Sequence, residues 1–174
     1  MNDTYDLRSG ETHIEVHKFR GGAILFATAF ALFVQAFLPV YFPKSAMVDL
    51  PLLITIYFGL SRRNPSTGLL LGCAVGCLQD LLGKTPLGFY GIAKTLIGYI
   101  ASSIGGKLDT EHPAARFALT IVFFAIHQGV IVLVQRLLLA HSEPFFTVRL
   151  AIAALVNATV GTVFYFLLDR LRRS

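Results

Sequence analysis

The chain has 174 residues, of which 55% are hydrophobic and 14% charged, and its mean hydropathy is positive. A soluble domain carries about 25% charged residues, and here the apolar residues fall in long blocks, so composition excludes an ordinary soluble globule and indicates one compact all-α integral membrane domain. The net charge of +5 comes from basic residues at helix ends without aromatic interleaving, which points to topology and anionic membrane lipid and not to nucleic acid.

Residues 1–20 read as a polar cytoplasmic tail in which His13, His17, Lys18 and Arg20 lead into the membrane. The tail is too long and too acidic for a signal peptide, and no small-residue cleavage site follows, so the first span is expected to stay as an uncleaved anchor. Span one is predicted over 22–42, with Ala23, Ala27 and Ala31 forming a small-residue face and Gln35 a lone polar group that finds a partner within the protein. Pro39 and Pro43 punctuate a turn containing Lys44. Span two, 46–60, is short, with Asp49 and Pro51 near its start; it is either tilted or irregular and protein-covered at one end.

A basic turn, 61–66, leads to span three at 67–83, where Gly68, Gly72 and Gly76 recur every fourth residue and Asp80 follows one turn on. Such a strip lets another backbone pack closely. Cys73 and Cys77 do not have C-x-x-C spacing and read as soft packing residues, with no metal or disulfide role. Gly83-Lys84-Thr85-Pro86 joins span four, 87–106, which carries Lys94 in an otherwise uncharged run. A polar connection over 107–113 precedes span five, 117–140, with His127 and Gln128 midway and Arg136 near its far end. Span six, 148–168, carries Asn157. The transmembrane domain thus covers 21–169, and 170–174 is a basic cytoplasmic tail.

With six spans and both termini inside, Arg8, Lys18, Arg20, Arg62, Arg63, Lys107, Arg116, Arg170, Arg172 and Arg173 are cytoplasmic. Only Lys44, Lys84 and Arg149 then lie outside, and a non-crossing span two would destroy that bias. In this arrangement Asp80 lies about 5 Å and Lys94 about 10 Å below the outer helix ends, and Arg136 shares their layer. Two readings follow: an Asp80–Lys94 pair that only fixes helix register, or a polar cavity where a partner docks from the extracytoplasmic side. His127 and Asn157 read as interhelical hydrogen-bonders, because no span offers His-x-x-x-His or Glu-x-x-His. No nucleophile elbow, phosphate loop or carboxylate pair suggests catalysis, and no cofactor is implied; the chain reads as a scaffold or binding module.

The segment from Ser66 to Gly88 resembles the rod shape-determining protein MreD family: Gly72, Gly76, Asp80, Leu81, Leu87 and Gly88 match its core pattern, and Gly98-Tyr99 matches the end of the next helix. Lys94 is not part of that pattern. The resemblance implies a non-enzymatic, multi-pass component of the bacterial inner membrane within the elongasome, the machine that maintains rod shape by inserting peptidoglycan. Its implied partners are MreC, the RodA-type polymerase with its penicillin-binding transpeptidase, and the cytoplasmic MreB filament. The alternative is a substrate-binding subunit of an energy-coupling-factor vitamin transporter, which is similar in size and span number and docks through an Ala-x-x-x-Ala face like Ala23, Ala27 and Ala31.

Overall fold

The computed structural model describes residues 21–62, 64–107, 112–139 and 147–172. The expectations for the tail 1–20, Arg63, the stretch 108–111, the loop 140–146 and the last two residues lie outside the described residues. Six α-helices follow in order: α1 (Gly21–Tyr41), α2 (Leu50–Arg62), α3 (Pro65–Gly83), α4 (Phe89–Ile104), α5 (Pro113–Leu139) and α6 (Val148–Arg172), with a 3₁₀ turn, Pro43–Met47, between α1 and α2. Four of them, α1, α3, α5 and α6, are long and apolar enough to cross a membrane. The other two are shorter, 13 residues in α2 and 16 in α4.

The segment that reads as the weak span is the hub of the bundle. Every residue of α2 from Pro51 to Leu60 is buried, and α2 touches each of the other five helices. A helix apolar on all sides satisfies itself only by being surrounded, and neighbours that shield it from lipid remove the need for full bilayer length. At 1.5 Å per residue α2 is about 20 Å long. By contrast α1 turns Phe26, Phe30, Phe33 and Phe37 outward, which suits a lipid-facing flank.

α3 starts where Asn64 accepts hydrogen bonds from the amides of Ser66 and Thr67 at 3.1 and 3.4 Å, with Pro65 in the first turn. Its glycine strip lies against α4. A Cβ at Gly68 would strike Ser102 and the carbonyl of Gly98, one at Gly72 the carbonyl of Lys94, and one at Gly76 the backbone of Tyr90 and Gly91. Gly98 answers from the other side, where a Cβ would meet the carbonyl of Gly68. The strip is therefore used within the chain. On α1, Ala31 is buried against the core and Ala27 is partly buried beside it.

At the end of the bundle where α5 begins and α6 finishes, the Asp169 carboxylate accepts from the Tyr57 hydroxyl at 2.8 Å and from the Arg116 guanidinium. Tyr57 also stacks on the buried Tyr165, ring centroids 5.4 Å apart. These contacts clamp α2, α5 and α6 together.

Substituting Gly72 by Ala should push α4 away and lower stability by about 1–3 kcal/mol, more than the small gain in helix propensity returns. Gly22→Ala, where an added Cβ meets nothing within 4 Å, should leave the melting midpoint in detergent unchanged. Equal melting of both variants would contradict the packing described.

Candidate functional site

Between the 3₁₀ turn and α2 the chain is unwound, and its backbone polar groups are met by side chains from distant helices. The amide of Asp49 donates to Asn157 Oδ1 at 2.9 Å, and Asn157 Nδ2 donates to the carbonyls of Met47 and Ala153 at 2.7 and 2.8 Å. The amide of Leu50 donates to Gln35 Oε1 at 3.1 Å. Non-helical backbone at membrane depth persists only where protein supplies such partners. Asp49 itself caps α2: its Oδ1 accepts from the amide of Leu52 at 3.0 Å.

The other Asp49 oxygen takes the ion pair. Lys94, 0% exposed, donates from Nζ to Asp49 Oδ2 at 2.7 Å and sits 3.2 Å from His127 Nε2. With Lys94 as ammonium donor, Nε2 accepts, which leaves the imidazole proton on Nδ1. Tyr90 completes the group, with its ring 4.9 Å from the Lys94 ammonium and stacked on His127 at 6.2 Å. Two helices, α4 and α5, and the unwound segment thus meet at one buried cation.

Asp80 does not pair with Lys94, contrary to one sequence expectation. Its carboxylate accepts from the Thr85 hydroxyl and the Tyr90 amide through Oδ1, both at 2.9 Å. Oδ2 accepts from the amides of Gly88 and Gly91, at 2.8 and 3.1 Å. The first turn of α4 has amides without helical partners, and an anion there also meets the favourable end of the helix dipole. The α3–α4 turn is shaped for this contact: Lys84 adopts φ 54 and Gly88 φ 96, the latter where a side chain would be strained. Arg136 does not join the group either; it is exposed near the end of α5.

Above the ion pair is a chamber of about 570 Å³, walled by Gln35 of α1, the unwound segment, Gln79 of α3, Tyr90 of α4, His127, Gln128 and Gln135 of α5, and Arg149 of α6. Two buried polar atoms on its wall, Gln79 Oε1 and His127 Nδ1, have no hydrogen-bond partner. One is an acceptor and the other, in the tautomer above, a donor. A wall of amides, one imidazole and one guanidinium binds polar groups by hydrogen bonding. Among the described residues no three His, Cys, Asp or Glu side chains gather as a metal site.

Of the residues singled out from sequence, Lys94 and His127 meet at the ion pair, Asn157 and Gln35 hold the unwound segment beside it, and Asp80 shapes the neighbouring turn. The role of Asp49 as the partner of Lys94 was missed, and so were Gln79 and Gln135 of the chamber wall. The signal for Asp49 was its place just before Leu50-Pro51, where an acidic N-cap followed by an early proline marks a helix start. The glutamines carry no comparable mark.

Removing one partner of the ion pair should destabilise strongly: Asp49→Asn strands a buried ammonium and should cost about 3–5 kcal/mol, read as an earlier melt in detergent. The double change Asp49→Asn with Lys94→Met should recover much of that loss. Additive losses would mean the two residues do not act as a pair. Asp80→Asn should cost less, about 1.5–3 kcal/mol, through weakened bonds to the α4 amides.

The model of the family described as "MreD: rod shape-determining protein MreD" matches residues 17–174. No curated protein and no solved structure matches the chain. The family match draws nothing toward the vitamin-transport alternative. A helical membrane-type bundle, a glycine helix ending in the carboxylate that shapes its turn, and a match over nearly the whole chain give one conclusion: this chain belongs to the rod shape-determining protein MreD family, whose role is the determination of rod shape.

Proposed function

We propose that this protein is a non-enzymatic scaffold of the bacterial elongasome. It crosses the inner membrane six times with both ends in the cytoplasm and couples MreC and the cell-wall synthases, the RodA-type polymerase and its penicillin-binding transpeptidase, to the MreB filament. The observation that carries this reading is the chamber. It is a hollow of about 570 Å³ lined by Gln35, Gln79, Gln128, Gln135 and Arg149, side chains that can hydrogen-bond a partner's polar segment.

The side of the membrane follows from charge. Arg62, Lys107, Arg116, Arg170 and Arg172 at one end of the bundle against Lys44, Lys84 and Arg149 at the chamber end support, by the positive-inside bias, an extracytoplasmic chamber. In this topology α2 and α4 cross as short helices, α2 inside a jacket of its neighbours and α4 packed on α2, α3 and α5. The chamber then faces the side on which MreC extends. The clamp of Tyr57, Arg116 and Asp169 lies at the cytoplasmic end, where it gives the bundle a fixed base.

Gln79→Leu removes a buried acceptor without a partner, so it should leave the melting midpoint unchanged or raise it. In a host depleted of its own copy, the same variant and the surface variant Arg149→Glu should fail to keep cells rod-shaped at normal membrane levels. Lys84→Glu, outside the chamber, should retain rods. Rods sustained by both chamber variants would remove the docking role, and rods sustained without any copy of the protein would remove the scaffold reading.

A further inference from the structure

A second cavity runs down the flank of the bundle. Between them α1 and α3 leave an apolar trough of about 620 Å³, with Ala29, Ala36, Ala74 and Leu78 among its walls. Its α3 wall extends from Leu71 to Leu82, about 16 Å along the axis at 1.5 Å per residue. One leaflet is about that deep, since the hydrocarbon core of a bilayer is about 30 Å thick. Leu82 lies at the end of the trough nearest the α3–α4 turn. There a neck of about 180 Å³ shares Leu32, Ala36 and Leu82 with the trough and is also lined by Gln35, Gln79 and Tyr90. An apolar channel one leaflet deep thus ends in a polar pocket.

Size and chemistry together select the occupant. An α-helix of that length and about 10 Å across displaces about 1,300 Å³, twice what the trough encloses, whereas a single hydrocarbon chain fits its apolar walls. The neck offers donors. Gln35 Oε1 accepts from the Leu50 amide at 3.1 Å, and Gln79 Oε1 is buried, so each side chain has its Nε2 left over. Those two amide nitrogens and the Tyr90 hydroxyl are accessible and have no hydrogen-bond partner among the described residues. The neighbouring acid, Asp80, has both oxygens engaged by Thr85 and the first amides of α4. Three donors in one small pocket suit a group made of acceptors, and a phosphate is such a group. Lys84, exposed between the neck residues Gly83 and Thr85, adds positive charge at this end.

We propose that trough and neck are a binding site for one membrane phospholipid, with an acyl chain in the trough and the phosphate held in the neck by Gln35, Gln79 and Tyr90. The topology proposed above makes it a lipid of the outer leaflet. The site is distinct from partner docking in the chamber, and the scaffold reading does not depend on it. Its structural effect is on α1, the outermost helix of the bundle: the lipid chain fills the gap that α1 leaves against α3 and packs the two together.

The test uses the full chain in mild detergent with phosphatidylglycerol as the probe, and diacylglycerol of the same chains and a polyprenyl phosphate as competitors. Native mass spectrometry should show one phosphatidylglycerol retained per chain. Ala29 is exposed on the trough wall, so Ala29→Trp fills the trough and should cut retention about tenfold or more. Phe30→Trp, on the outward face beside it, should leave retention unchanged. Gln79→Leu combined with Tyr90→Phe, which keeps the ring beside Lys94, should also cut retention about tenfold or more, as the loss of two bonds to a charged group requires. The same double variant should lose the preference for phosphatidylglycerol over diacylglycerol. A native chain that retains no phospholipid, or an Ala29→Trp variant that retains as much as the native chain, overturns the proposal. Diacylglycerol held as well as phosphatidylglycerol by the native chain overturns the phosphate contact and the proposal with it. Displacement of phosphatidylglycerol by an equal concentration of the polyprenyl phosphate overturns it in favour of an isoprenoid occupant.

Discussion

One buried ammonium organises the centre of this molecule. Lys94 lies on α4 with no exposed surface, in a chain otherwise suited to lipid, and an uncompensated charge there would cost many kcal/mol. Compensation needs a carboxylate on the inner face of the bundle at the same depth. The chain supplies one by interrupting its helix before α2, which turns Asp49 inward as an N-cap with one oxygen for α2 and one for Lys94. The interruption exposes backbone groups of its own, and Gln35 and Asn157 meet them. Remove the ammonium and neither the break nor its two supporting side chains has a purpose.

The two buried carboxylates divide the work. Asp80 bonds to local groups, holding the start of α4 within one turn of α3, while Asp49 bonds across the bundle and ties α2 to α4 and α6. Both are fully engaged on the protein side, so neither projects free negative charge into the chamber above them. That is why the chamber reads as a hydrogen-bonding and weakly cationic surface although two acids lie beneath it. At the opposite end a third carboxylate, Asp169, joins Arg116 and Tyr57.

Helix limits were legible to within about four residues because hydrophobic runs and the glycine-rich α3–α4 turn mark them locally, and the glycine ladder announced the α3–α4 contact. The partner of Lys94 was not. Depth arithmetic treats each span as a straight rod of uniform rise, and on that basis Asp80 and Lys94 share a layer; it has no means of seeing that the amides of Gly88, Tyr90 and Gly91 are nearer to Asp80 and already oriented. Nor does hydropathy distinguish a span that faces lipid from one enclosed by its neighbours, so α2 looked marginal when it is the most enclosed element. Gln79 and Gln128 differ from any surface glutamine only in what surrounds them, which is a property of the assembled helices.

Satisfied and unsatisfied groups in this bundle are not scattered at random, and their distribution bears on function. The unwound segment, the α3–α4 turn and the Asp169 clamp show that the chain pairs difficult buried groups across long sequence separations, 108 residues between Asp49 and Asn157. A fold able to do that has no general need to leave Gln79, His127 and Thr28 with unpaired atoms. Gln79 and His127 line the polar chamber. Its walls are held firmly, by backbone contact of α3 with α4 at the glycines and by the ion pair beneath, so the side chains cannot relieve themselves by collapse. Rigid walls carrying amide and guanidinium side chains favour recognition, because their ordering cost is met in folding and is not charged again on binding.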